Sequence, residues 1–281
     1  MKHFYIIANP QKDKELALTR QIKNYIEEHG GSCVSQMNQE YDIEEIFRQT
    51  ECILVVGGDG TLLRAARDMA ECNIPLIGVN TGHVGYLCEL DAGNVMNGLE
   101  ILMEEQGYSV EQRMLLTGYL VNKSGCCGQQ VALNDIVIHR SGALQMVDFI
   151  ISVNGEYLNT YSADGIIIAT PTGSTAYNMS AGGPIVDPRA ELILITPISP
   201  HTLNAKSIVL GADAEITVEI APRRIEKDEK AEVSFDGEHV GMLTVGERIV
   251  VKKAGTRTRI LKLSKLSFLE RLGKKLQGYI G

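Results

Sequence analysis

Two rhythms of apolar and polar positions divide this chain. Over the first hundred residues, short unbroken apolar runs at 4–8, 53–56 and 75–79 read as strands buried on both faces. Between and after them, residues 14–29, 61–71 and 93–105 repeat their apolar positions at helical spacing, and the first of these stops at Gly30-Gly31. Alternation of strand and helix predicts a parallel sheet covered by helices. Ligands of such sheets gather at the C-terminal ends of the strands. Two glycine-bearing loops, 57–61 and 80–85, begin there.

Past residue 108 the rhythm shortens to strand after strand, with turn residues between: 130–138, 147–153, 166–169, 208–210, 216–220, 233–235, 248–251 and 257–263. One short helix is predicted at 175–181. A last amphipathic helix is predicted at 265–277, with Leu266, Leu269, Leu272 and Leu276 along one face. The expected organisation is an α/β N-terminal domain (1–107), a β-rich C-terminal domain (108–264), and a terminal helix (265–281) returning to the first domain.

Composition narrows the function classes. The 281 residues are 44% apolar, enough for a packed core, and carry a net charge of −8. An acidic chain is a poor generic binder of nucleic acid, which demands neutralised phosphates. Small anionic ligands stay open, because a local field can oppose the global one. No apolar run approaches the roughly 20 residues of a membrane helix. The six cysteines form no C-x-x-C pair and no zinc spacing, which fits reduced thiols in a cytoplasmic protein.

The candidate chemistry begins at Gly57-Gly58-Asp59-Gly60-Thr61, where a strand meets a helix. Glycines let backbone amides approach a phosphate, aided by the helix N-terminus. A carboxylate in that place repels phosphate unless it holds a cation or accepts a proton, so Asp59 marks a reaction centre. Neither G-x-x-x-x-G-K-[ST] nor G-x-G-x-x-G occurs. A second cluster runs from Asp164 through the apolar strand to Thr172, Ser174, Thr175, Ala176, Tyr177, Asn178, Met179, Ser180 and Pro184. Its hydroxyls and small residues suit phosphate or ribose, and Tyr177 offers a ring to a base. Asn134-Asp135 opens another strand and can bracket ribose hydroxyls or a base edge, while Asp236-Gly237 alone is a hairpin turn signal. Two other readings compete with a nucleotide kinase: a lipid kinase using the same turn, against which the hydroxyl-rich block argues, and a non-catalytic dinucleotide sensor, against which the intact Asp59 turn argues.

In order and spacing these blocks resemble the NAD kinase family. The resemblance rests on Gly57 to Thr61, Asn134-Asp135, the Asp164 to Pro184 block, Thr196-Pro197-Ile198-Ser199-Pro200-His201-Thr202-Leu203, and Phe235-Asp236-Gly237. It implies the two-domain fold above with the active site between the domains. It also implies transfer of a phosphoryl group from ATP to the 2′-hydroxyl of the adenosine ribose of NAD, with a divalent cation, Mg²⁺ foremost, and no fixed protein metal site. Homodimers or homotetramers are usual in the family. Carried over by position, Asp59 is the proton acceptor. Gly58, Gly60, Thr61 and Arg64 face the nucleotide. Asn134 and Asp135 hold the adenosine, with Asp135 standing where relatives often have Glu. Asp164 takes the nicotinamide end, and Thr172 and Ser174 to Ser180 line the pocket. Ser199, Asp236 and Glu238 complete the binding set.

Overall fold

In the computed structural model, which describes residues 1–36, 44, 48–82, 85–122, 125–142, 146–202, 205–222, 229–263 and 267–278, the apolar runs of the first rhythm become neighbouring parallel strands. The chain forms two compact units, Met1–Gln112 with Thr258–Gly281, and Arg113–Arg257.

In the first unit, β1 (His3–Ala8) lies between β2 (Ser32–Gln36) and β3 (Cys52–Gly57), and β3 pairs with β4 (Leu76–Asn80). The two-residue β5 (Leu90–Asp91) joins the C-terminal end of β4, and the end of β17 (Arg248–Lys262) pairs with β4 through Ile260 and Leu76. Every pair is parallel. All six residues of β3 are buried, which is why its sequence is continuously apolar. Helices α1 (Ala17–Glu28) and α3 (Val95–Met103) bury Ile22, Ile26, Val95, Leu99 and Leu102 against Phe4, Ile6, Leu54 and Val79. Each such side chain stabilises the fold by about 1.5–3 kcal/mol. Helix α2 (Asp59–Asp68) buries Leu62, Ala65 and Ala66.

Helix boundaries differ from the sequence expectation, and the helix expected at 93–105 is Val95–Met103. Helix α1 starts at Ala17 rather than 14, because Glu15 and Leu16 adopt left-handed φ of 54° and 55°. The buried Asp13 carboxylate fixes that start by accepting the amides of Leu18 (3.1 Å) and Thr19 (2.9 Å). Helix α2 begins inside the glycine turn, at Asp59, and ends at Asp68. The terminal helix α5 is Phe268–Gly278. Leu266, predicted on its face, lies outside the described residues, as do the side chain of Leu276 and position 203.

The second unit stacks two antiparallel sheets. One contains β9 (Val147–Val153), β10 (Glu156–Ala163), β14 (Ile216–Ile220) and the start of β17, in the order β10-β9-β14-β17. The other runs β13 (Ile208–Gly211), β12 (Leu192–Ile198), β11 (Gly165–Ala169), β8 (Asp135–Arg140), β15 (Lys230–Phe235), β16 (Glu238–Thr244). Phe149, Ile151, Ile216 and Val218 meet Ile136, Ile138, Ile166, Ile168 and Phe235 in a single core. On the far face, Val137, Ile167, Ala169, Leu194 and Ile198 are covered by Ala181 and Val186. That cover explains why β11 is apolar on both faces. A long hairpin, β6 (Ser109–Asn122) with β7 (Gly125–Ala132), completes the unit.

The strand expected at 130–138 is broken at Leu133-Asn134 into β7 and β8, and the two expected at 248–263 are one, β17. The helix expected at 175–181 is a 3-10 turn, Gly173–Thr175, followed by the single-turn α4 (Tyr177–Ser180). Asp236 and Gly237 both have positive φ, 50° and 81°, and form the tight turn between β15 and β16. Among the described residues no helix is long and apolar enough to cross a membrane.

Candidate active site

The glycine turn lies where β3 ends, between the ends of β1 and β4. Thr81 donates its amide (3.2 Å) and hydroxyl (3.0 Å) to the Gly57 carbonyl, and Asn9, just past β1, donates Nδ2 to the Thr61 hydroxyl (3.3 Å). The turn is thus tied to both neighbouring strand ends. Gly57 has little choice of residue, since a Cβ there would lie 2.9 Å from the Thr61 Cβ. Gly60 is different: a Cβ there would meet nothing within 4 Å. Packing against the described residues does not require that glycine, and its missing side chain leaves the space beside the turn open.

Asp59 is the first residue of α2, and its carboxylate accepts the amides of Tyr86 (2.6 Å), Leu87 (3.3 Å) and Cys88 (3.1 Å). Three donors fix the orientation of the group. A Cβ at Gly85 would overlap this carboxylate, so the 85–88 loop reaches it only because residue 85 has none. Burial first, and then the neighbouring Asp59 charge, push the Cys88 thiol up to about 12, so it stays protonated. Asp59 also lines a cavity of about 350 Å³ together with Lys12, Gly57, Gly58, Asn80, Thr81 and Gly82. Arg64, one turn further along α2, is exposed.

In the second unit a different acidic residue organises the loops. Asp236 accepts the amides of Leu133 (2.8 Å), Asn134 (2.7 Å) and Asp135 (3.2 Å), and its own amide returns to the Asp135 carbonyl (2.9 Å). Thr170 donates its amide to the Asn134 carbonyl (2.8 Å) and its hydroxyl to that of Leu133 (2.5 Å). A Cβ at Gly173 would overlap the Asn134 carbonyl. Asn134, Asp135, Asp236 and the start of the hydroxyl-rich loop therefore converge. Burial, with the Asp236 charge second, pushes the Asp135 carboxyl up to about 7.

Within the hydroxyl-rich loop the residues divide. Ser174 is fully buried and bonds the Pro171 carbonyl (2.7 Å), and Asn178 spans the Ser174 and Pro184 carbonyls while accepting the Thr196 hydroxyl (2.7 Å). These two brace the loop from inside. Thr172 buries a hydroxyl that has no hydrogen-bond partner among the described residues. Thr175, Ala176 and Met179 are half-buried, and Tyr177 and Ser180 are exposed. Asp164 accepts a 2.6 Å bond from Nε of Arg140. Ser199 is exposed at φ 45°, and Glu238 is exposed at the start of β16.

Lys12, Gly85, the 86–88 amides and Arg140 touch or flank these candidate residues and are not predicted by the sequence reading. A signal exists for Lys12: it follows the end of β1, which borders the turn.

A glycine turn at the C-terminal edge of a parallel sheet, opening a helix whose first residue is a fixed carboxylate, defines a phosphate-handling site of the phosphotransferase kind. Residues 34–108 match the ATP-NAD kinase N-terminal domain and residues 133–263 the ATP-NAD kinase C-terminal domain. The NAD kinase of Agathobacter rectalis is 50% identical, covering 99% of this chain and 100% of its own. That of Lachnospira eligens is 43% identical, covering 98% and 100%. Among solved structures, an Archaeoglobus fulgidus NAD kinase in complex with ATP aligns with TM-score 0.78 and 25% identity, covering 99% of each chain. Yeast NADH kinase complexed with NADH aligns at 0.88 with 22% identity, covering 99% of this chain and 88% of that one, and shows the common fold. The chain belongs to the ATP-NAD kinase family.

Proposed function

We propose that this chain phosphorylates NAD at the 2′-hydroxyl of its adenosine ribose, using ATP and releasing ADP and NADP, with Asp59 as proton acceptor. The observation that carries the assignment of Asp59 is its carboxylate, held by three amides at the head of α2 and lining the glycine-turn cavity. Phosphoryl transfer leaves the protein mostly positioning and charge stabilisation. A pinned carboxylate orients the hydroxyl toward phosphorus and takes its proton as the new bond forms. Gly58, Gly60 and Thr61 leave the backbone open to the triphosphate, and Arg64 faces the nucleotide.

NAD is held by the second unit. Asn134 and Asp135 take the adenosine, Asp164 the nicotinamide end, and Thr172, Thr175, Ala176, Tyr177, Met179 and Ser180 line the pocket. Ser174 and Asn178 contribute by bracing that loop, and Asp236 by fixing the 133–135 backbone. Ser199 and Glu238 lie at its margin.

A divalent cation, Mg²⁺ foremost, accompanies ATP. No group of three or more His, Cys, Asp or Glu side chains among the described residues forms a cage for one. The residues present fit an ion carried on the triphosphate, where it offsets repulsion from Asp59. Free thiols at Cys33, Cys52, Cys72, Cys88 and Cys126 support a reducing, cytoplasmic setting, and the family supports a homodimer or homotetramer.

Incubation with NAD, ATP and Mg²⁺ should yield NADP, which a lipid kinase or a sensor would not make. The Asp59→Asn variant should keep its fold by circular dichroism while losing NADP formation by about 10²-fold or more. Full activity in that variant would remove Asp59 from the chemistry.

A further inference from the structure

We infer that Lys12 is the protein's own cation for the phosphoryl group in transfer, reaching across the glycine turn to the terminal phosphates of ATP. Of the described residues lining the turn's cavity, Lys12 alone is cationic. Its ammonium nitrogen stands 3.0 Å from where a Gly58 Cβ would be, so the side chain lies over the turn itself. A Cβ at position 58 would press on that nitrogen and shift it by a few tenths of an ångström. Among the described residues, apart from Lys12, only the Asn80 Oδ1, at 3.6 Å, would come near such a Cβ.

The backbone that carries Lys12 is anchored on both sides. The Asn9 carbonyl accepts the amides of Lys12 (3.0 Å) and Asp13 (2.9 Å), the Asn9 side chain accepts the Gln11 amide (3.0 Å), and Asn9 Nδ2 bonds Thr61. On the other side the buried Asp13 carboxylate locks onto the start of α1. The residue between these anchors keeps an exposed side chain. An ordinary solvated lysine needs no such mounting. The Cys88 thiol, which contacts Asp59, also feels the Lys12 charge, so cation and reacting carboxylate share one electrostatic neighbourhood.

The chemistry requires such a charge. The ribose 2′-oxygen bonds to the γ-phosphorus while the bond from that phosphorus to the β,γ-bridging oxygen breaks. The electron pair of the broken bond leaves on ADP, and the hydroxyl proton passes to Asp59. Negative charge stays on the transferring oxygens throughout, and Asp59 adds another. Lys12 pairs with the non-bridging oxygens as a compact point charge. The amides at the head of α2 add only a fractional charge. Arg64 is exposed and is not among the residues lining this cavity.

This inference rests on the NAD-phosphorylating reading, and its test separates the two. Lys12→Met and Lys12→Arg are compared with wild type by steady-state kinetics in ATP and in NAD, by calorimetric binding of MgATP and of NAD, and by thermal melting. Lys12→Met should lower kcat/KM for ATP by on the order of 10²–10³-fold. It should weaken MgATP binding roughly tenfold or more, the loss expected for a charged hydrogen bond. NAD binding and the melting temperature should not change, and Lys12→Arg should recover part of the loss. Kinetics within twofold of wild type would overturn the inference, as would a loss confined to NAD binding. If wild type itself makes no NADP, the functional reading fails. MgATP binding then still decides the role of Lys12: weakened in Lys12→Met it stands, unchanged it falls.

Discussion

A single missing methyl group sets the geometry of the Asp59 carboxylate. Residue 85 has to be glycine because a Cβ there would occupy the space of the Asp59 carboxylate, which three amides hold in place. The carboxylate cannot swing aside without giving up those bonds. Gly85→Ala should therefore move either Asp59 or the Tyr86–Cys88 amides and lower kcat about 10²-fold, since misplacement of about 1 Å is enough. MgATP binding should change much less, because Gly85 is not among the residues lining the cavity. Wild-type kcat in Gly85→Ala, measured by NADP production, would mean that the pinned orientation of Asp59 is not needed. Gly60 makes the opposite case. Alanine there adds no contact within 4 Å to the described residues beyond its own helix, so it should leave the melting temperature within about 1 °C of wild type or raise it, as substitutions of helical glycine do. NADP formation should fall at the same time if ligand fills that space.

At the scale of elements, the loop that holds Asp59 is itself clamped by the end of the chain. Glu89, next to Cys88, is 1% exposed and pairs with Lys262 at the end of β17 (3.1 Å) and Arg271 of α5 (2.5 Å). It also accepts the Leu263 amide (3.2 Å). A buried carboxylate shared by two cations is costly to disturb, because removal of one partner strands the others. Glu89→Ala should destabilise the protein by roughly 3–5 kcal/mol in urea unfolding. The milder Arg271→Met leaves Lys262 on Glu89, so it should keep the fold and lower kcat more than either KM as the 86–88 amides loosen. A variant with both kcat and KM at wild-type values would show that the clamp acts on stability alone. Asp236 does comparable work in the second unit, where its carboxylate breaks one expected strand into β7 and β8 and presents Asn134 and Asp135 at the break.

Over the whole molecule, legibility in the sequence followed burial. Strands β1, β3 and β4 are covered on both faces, so each appears as an unbroken apolar run. Strand β10 is exposed along its first five residues and shows no such pattern, and β17 holds together across Ala254-Gly255 through pairing with distant strands. The site divides in the same way. Asp59, Asn134-Asp135 and the 170–184 loop were visible because glycines and hydroxyls cluster locally. Gly85 and Arg140 act through partners far along the chain, Asp59 and Asp164, and no local pattern marks them. The same partnership makes the stability of the protein depend on pH in a direction that an acidic chain would not otherwise suggest. The Asp135 carboxyl is raised from 3.8 to about 7 by burial and by Asp236. Between those values the folded state keeps a proton that the unfolded chain has released, so stability falls as pH rises through the window and levels off above it. Asp187, lowered to about 2 chiefly by its hydrogen bond from Arg189, acts in the opposite sense and only below pH 4, so it does not mask the effect. Asp135→Asn removes the titration. Its stability relative to wild type should therefore grow between pH 4 and pH 7, by up to about 1.4 kcal/mol per pH unit. Urea unfolding of both proteins at pH 5 and pH 8 measures this, and parallel shifts between the two pH values would mean that Asp135 is already ionised in the fold.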